Sequence, residues 1–266
     1  LNGAVHLSYN AESKSYDFRA DLHNSVVSGF EGENIQIAGR WNERAGLDVR
    51  GFTLTRPGVS LSGFGTIDAK SEADFVLKLQ GNQLDYVTKY LLLPPISGTV
   101  DLAAKLVGPL GRLQVNVNST WHDLTYLTAR IDAGEVHAEA RNVGSRHPTA
   151  TVNVDGRRLY YKGLEFTSPH VLFDADGKMV MVRDFSFSKG DTLVTADFDT
   201  ETKGTETEVL IKHLAVRTPE MTWRNEGQPR MTLTLNSTVI DNLVLSTNGY
   251  EMGISGRFST EPSTAD

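Results

Sequence analysis

Four sets of residues have types and spacing that could do chemistry. Glu135, His137 and Glu139 alternate along one run. On a strand they would share a face and offer two carboxylates and an imidazole to a metal ion. Val136, Ala138 and Ala140 fill the positions between them, so the same spacing describes the wet face of an amphipathic strand. His122-Asp123 and Asp101 carry acid–base groups, but no nucleophile motif such as G-x-S-x-G accompanies them. Gly63-Phe64-Gly65 lacks the following helix that a phosphate loop needs. Asn118-Ser119-Thr120 and Asn236-Ser237-Thr238 have glycosylation spacing and are expected to be strand ends. The sequence therefore points to no catalytic residue, metal or cofactor, and to a protein that is not an enzyme.

The elements that would position these residues are strands. Leu113, Val115 and Val117 alternate with Gln114, Asn116 and Asn118; Phe75, Leu77 and Leu79 skip Val76 and Lys78. Side chains on a strand point to opposite faces with period two, so each run has one apolar and one polar face. About seventeen such runs follow one another. Asp155-Gly156, Asp176-Gly177, Lys189-Gly190-Asp191 and Asn248-Gly249 read as hairpin turns between them. Turns this frequent imply an antiparallel meander, because parallel strands need long crossovers. In Asn82–Leu93 the spacing of Leu84, Val87 and Leu91 predicts one short amphipathic helix over 84–92, with Asn82 as cap and Pro94 as stop.

An all-β chain with this alternation must close its apolar face or leave it for something else to cover. With 39 % apolar and 22 % charged residues, the 266-residue chain suits an elongated structure better than a thick multilayer domain. The net charge of −7 and the lack of a Lys/Arg cluster argue against a nucleic-acid partner. Without cysteine there are no disulfides or thiolate metal sites. No run approaches the ~18 apolar residues of a membrane span, and the start at Leu1 suggests a fragment of a longer protein.

The chain also matches itself. Val49-Arg50-Gly51-Phe52-Thr53-Leu54-Thr55-Arg56 lies over Val182-Arg183-Asp184-Phe185-Ser186-Phe187-Ser188-Lys189. Upstream, Phe18-Arg19-Ala20-Asp21 lies over Val152-Asn153-Val154-Asp155 at nearly the same offset. The expectation is one elongated body, 1–266, holding two copies of a strand-rich unit, about 1–133 and 134–266.

The stretch Ile96-Ser97-Gly98-Thr99-Val100-Asp101-Leu102-Ala103-Ala104-Lys105-Leu106-Val107-Gly108-Pro109-Leu110-Gly111-Arg112-Leu113, with the predicted helix before it, resembles a recurring passage of the TamB/AsmA-like envelope proteins of diderm bacteria. Gly51–Asp68 and Gly163–Phe198 resemble strand pairs of the same family. The resemblance implies a long, strongly curved antiparallel sheet, the β-taco, with an apolar groove inside. It implies a periplasmic bridge that carries phospholipid between inner and outer membranes and supports outer-membrane biogenesis. An inner-membrane anchor and a dock onto an outer-membrane barrel protein of the assembly-factor family would both lie outside this fragment. The family has no catalytic motif to transfer.

Physics leads to a similar expectation. A lipid tail crossing water must be shielded at roughly 0.8 kcal/mol per CH₂. A wall of Leu, Val, Ile and Phe supplies that shield without specific polar contacts. The expected lipid-groove lining is Phe75, Leu77, Leu79, Val100, Leu102, Leu106, Leu113, Val115 and Val117. The rival is a structural β-solenoid stalk or adhesin passenger whose apolar faces make a dry core. The same residues would serve both, so the sequence does not separate them.

Overall fold

The computed structural model describes residues 2–27, 30–82, 84 and 96–259. Among them the regular elements are nineteen β-strands, and the paired strands run antiparallel. No helix occurs among the described residues. The helix expected within Asn82–Leu93 lies, apart from Asn82 and Leu84, outside them.

Contacts divide the chain into two units, Leu1–Pro148 and Thr149–Asp266. Unit 1 holds β1 (Gly3–Asn10), β2 (Ser15–Val27), β3 (Phe30–Asn42), β4 (Gly46–Arg56), β5 (Val59–Ile67), β6 (Glu72–Gly81), β7 (Ile96–Pro109), β8 (Leu113–Tyr126) and β9 (Ala129–Val143). Each pairs with the next, which makes a plain meander. Unit 2 holds β10 (Thr149–Gly156), β11 (Arg158–Tyr161), β12 (Leu164–Asp176), β13 (Met179–Lys189), β14 (Thr192–Lys203), β15 (Glu206–Arg217), β16 (Thr222–Asn225), β17 (Arg230–Leu233), β18 (Ser237–Thr247) and β19 (Tyr250–Ser259).

Two pairs of short strands in unit 2 are single strands with a break. β10 and β11 both pair with β12 in one continuous register, Asp155 opposite His170 and Arg158 opposite Thr167. Asp155-Gly156 is therefore not a hairpin turn, which corrects the sequence expectation. The break faces Pro169, which has no N–H to give the ladder, and Ser168, whose φ is 49°. β16 and β17 likewise both pair with β15 and with β18, across a gap that contains Pro229. The expected turns at Gly177, Gly190 and Asn248-Gly249 do join consecutive strands, and these residues have the positive φ such tight connections need.

Strand bounds recur along the internal match at an offset of 133 or 134 positions. β2 covers 15–27 and β10 with β11 covers 149–161; Phe30–Asn42 recurs as Leu164–Asp176 and Gly46–Arg56 as Met179–Lys189. The bulges recur too. The β4–β5 register slips between Val49 and Phe52, and the β13–β14 register slips between Val182 and Phe185. The preceding pairs slip at Ala38/Gly39 and at Leu172/Phe173. A bulge puts an extra residue on one strand, so Val-Arg-Gly-Phe and Val-Arg-Asp-Phe each place two residues between apolar ones where strict alternation has one.

Burial follows the alternation. Along β7 every second residue from Ile96 is half-buried or buried and the others are exposed. β8 keeps this pattern through Trp121. It thus runs straight through Asn118-Ser119-Thr120, which is mid-strand rather than the expected strand end. The most buried apolar side chains are spread along the strands: Leu22, Val49, Val59, Ala73, Ala104 and Trp121 in unit 1, Val182, Ala196, Val209, Ile211, Ala215, Leu243 and Leu245 in unit 2.

Candidate functional site

Directly opposed residues of an antiparallel pair share a face, so the registers of unit 1 define apolar rows across its strands. The first row runs Leu7, Phe18, Gly39, Val49, Gly65, Phe75, Leu106, Val115, Ala140. The second runs Val5, Ala20, Ile37, Phe52, Gly63, Leu77, Ala104, Val117, Ala138. The third runs Gly3, Leu22, Ile35, Leu54, Leu61, Leu79, Leu102, Ser119, Val136. These three rows contain one polar side chain, Ser119.

All the residues expected to line a groove fall on this face. Phe75, Leu77 and Leu79 lie on β6, Val100, Leu102 and Leu106 on β7, and Leu113, Val115 and Val117 on β8. Leu79 stands opposite Leu102, Phe75 opposite Leu106, and Leu106 opposite Val115. Each of these nine residues is half-buried, neither sealed nor fully exposed.

Glycines give this face room for its rings. A Cβ at Gly39 would come within 2.5 Å of Phe18 Cζ, and one at Gly63 within 2.7 Å of Phe52 Cε1. Each ring therefore lies against its neighbouring strand where a side chain would stand. At one margin Tyr9, Tyr16 and Trp41 form an exposed aromatic row, with centroids 4.8 and 5.7 Å apart. Unit 2 fills its face with rings instead: Phe166, Phe185, Phe187 and Phe198 meet edge to face at 4.9 to 6.4 Å.

The opposite face is ionic. Asp17 accepts from Arg40 Nε at 3.0 Å and Nη2 at 3.1 Å, and from Arg50 Nη2 at 2.9 Å. The Arg40 hydrogen bonds, helped by the charges of Arg40 and Arg50, hold the Asp17 carboxyl below the usual carboxylate range, and Asp17 in turn raises Arg40. The repeat has its own version, in which Asp174 accepts from Thr151 Oγ1 at 2.6 Å and pairs with Arg183. Hydrogen bonds from Lys203 to Glu208 and Glu201 push that ammonium up. Exposed pairs of this kind add little stability and keep the face wetted.

No family model, curated protein or solved structure matches the chain. What the site can do rests on its own geometry.

The residues with acid–base chemistry are separated. Asp101 accepts from Gln80 Nε2 at 3.0 Å, while Asp123 binds Arg130 Nη2 at 2.5 Å. His122 stands opposite Thr99 on one side and Ala133 on the other. Glu135, His137 and Glu139 are exposed, and His137 Nδ1 meets Asn118 Oδ1 at 2.6 Å. Among the described residues no three such side chains could together hold a metal ion. Gly63-Phe64-Gly65 lies inside β5.

Sequence reasoning missed Ser119 and Trp121. Both continue the inward series of β8 beyond Val117, opposite Leu102 and Val100. Trp121 is 5 % exposed, and its indole Nε1 is buried with no hydrogen-bond partner. The signal was there in the unbroken spacing 113, 115, 117, 119, 121; the hydroxyl at 119 hid it.

Proposed function

We propose that the apolar face is the inner wall of a curved groove that carries phospholipid acyl chains through water, as part of a bridge between the two membranes of a diderm envelope. The partners on this reading are acyl chains and an outer-membrane barrel protein, the place of work is the periplasm, and no chemical step is catalysed. One observation carries the reading. Among the described residues the sole side chain less than 2 % exposed belongs to a serine, Ser15. A dry core of this many Leu, Val, Ile and Phe residues would seal many of them, since protein interiors are close-packed. Here the lining stays half-open, as a surface does when it still has something to cover. A sixteen-carbon tail laid on it would be shielded by roughly 12 kcal/mol. The three central rows hold almost no polar group that could trap the tail at one station.

The test is native mass spectrometry of protein purified without detergent, paired with an in-cell assay of outer-membrane integrity. The wild-type chain is expected to carry phospholipid mass. Val115→Glu or Leu102→Arg puts an unhydrated charge on the face and is expected to remove that mass and the activity at normal protein abundance. Asn116→Glu, on the ionic face, is expected to change neither. Val115→Glu protein that keeps its lipid and activity would contradict the groove. Loss of the protein altogether would mark Val115 as packed core and favour a stalk.

A further inference from the structure

Hydrocarbon shielding does not explain the indole of Trp121 on the apolar face. A buried donor without an acceptor is costly, and native structures hold few of them. A phenylalanine would fill the same space without that cost. In its row Trp121 stands opposite Val100 on one side and Gly134 on the other; beyond Val100 come Gly81, Val59 and, four strands away, Arg56. None of these side chains can accept a hydrogen bond. Ser119, two residues earlier on the same face of β8, brings a half-buried hydroxyl. An N–H and an O–H thus lie two residues apart on one strand, at one end of a face whose next two rows, through Val117 and Val115, are wholly apolar.

We propose that Trp121 and Ser119 are the polar end of the acyl site: the indole N–H donates to the carbonyl oxygen of an ester-linked acyl chain, and the tail runs from there over Val117 and Val115. This rests on the acyl-carrying reading above and sharpens it, since it gives the ligand an oxygen as well as a tail. An ester fits better than a free carboxylate, because Val100, Gly81 and Val59 lie between the indole and Arg56, and they and Gly134 offer nothing to solvate a negative charge beside it. The nitrogen has less than 1 Å² of exposed surface. Side chains must therefore move aside as the carbonyl arrives, and the fluorescence of the indole reports it.

The experiment uses the full chain, with Trp41→Phe and Trp223→Phe so that Trp121 is the sole tryptophan for the fluorescence measurement. Binding of methyl oleate, oleate and 1-octadecene is followed by calorimetry in wild type, Trp121→Phe and Ser119→Ala. Urea unfolding checks that each variant folds. Trp121→Phe is expected to weaken methyl oleate about fivefold, the worth of one net hydrogen bond, and to leave 1-octadecene unchanged. Ser119→Ala is expected to act in the same direction by less. The emission of Trp121 should shift with methyl oleate and not with 1-octadecene. Equal weakening of both ligands would mean that the ring packs and its N–H does not bind, which overturns the proposal. Unchanged methyl oleate binding by Trp121→Phe overturns it too, and leaves the acyl groove standing. Oleate binding more tightly than its ester overturns the choice of ester. A wild-type chain that binds none of the three removes the groove itself, and this inference with it.

Discussion

Where unit 1 sets Phe18 against Gly39, unit 2 sets Val152 against Phe173. The large and small partners have changed places across the same pair of strands. Further along the row Val49 and Val182 are equivalent, and the next position is Gly65 in unit 1 and Phe198 in unit 2. Phe52 faces Gly63, and Phe185 faces Ala196. What does not change is the backbone plan. Strand bounds, the slip at Val49/Phe52 and its counterpart at Val182/Phe185, and an arginine in the bulge recur together. The comparison teaches that the bulges hold the register while the face tolerates exchange of its side chains, glycine for phenylalanine included, so long as they stay apolar. A wall that serves by being apolar has that freedom; a site that recognises a shape does not.

The sharpest way to break this comparison is to force one unit's filling on the other. Gly39→Phe copies Phe173 into unit 1. A Cβ there would already stand 2.5 Å from both Phe18 Cζ and the Asp48 carbonyl oxygen. The expected cost is more than about 3 kcal/mol by urea unfolding, at the severe end of overpacking. Adding Phe18→Val, which copies Val152, is expected to recover about 1 kcal/mol. The ring is then gone, but the Asp48 oxygen remains. No recovery in the double variant would show that the glycine serves the backbone alone and that the exchange of sizes is incidental.

A milder test asks whether the ringed face of unit 2 packs more firmly than the glycine-lined face of unit 1. Phe185 has ring partners at 5.5 and 6.4 Å, Phe187 and Phe198. Phe75 lies against Gly65, where a Cβ would meet Phe75 Cδ1 at 2.7 Å. Phe185→Ala is expected to cost about 3 kcal/mol and Phe75→Ala about 2 kcal/mol, the difference being the ring pairs. Equal losses would remove the distinction between the two faces.

Much of this was legible in the sequence, and the parts that were not have physical reasons. Alternation located the strands, and the paired Val-Arg-x-Phe strings located the repeat, because period two and the bulge's extra residue are both written locally. Which residue faces which was not written locally: opposing Leu79 to Leu102 depends on turn lengths and slips accumulated along the meander. Asp155-Gly156 carries a hairpin's residues, yet the strand goes on, because the neighbour across the sheet contributes Pro169. Ser119 ended the apparent apolar run of β8 and so hid Trp121. The orphaned indole has no sequence signal at all, since it is defined by the absence of an acceptor among residues brought in from β7 and β9.

The smallest effect separates the two polar clusters beside the bulges. In unit 1 Asp17 gathers Arg40 and Arg50, while in unit 2 Asp174 gathers Thr151 and Arg183. The hydrogen bonds from Arg40 lower the Asp17 pKa. A carboxyl whose folded value is depressed adds its stability fully above its unfolded value of about 3.9, and loses it as the pH falls through the folded value. Asp17→Asn should therefore leave the unfolding midpoint nearly unchanged when wild type and variant are compared under strong acid. Near neutrality it should lower the midpoint slightly, and added salt should shrink that difference because the cluster is exposed. Carboxyl NMR titration is expected to show Asp17 protonating below the ordinary aspartate range, and Arg40→Gln is expected to bring it back up. If Arg40→Gln leaves the titration where it was, Arg40 is not what lowers Asp17. Arg50, the arginine in the bulge, would then be the remaining cause.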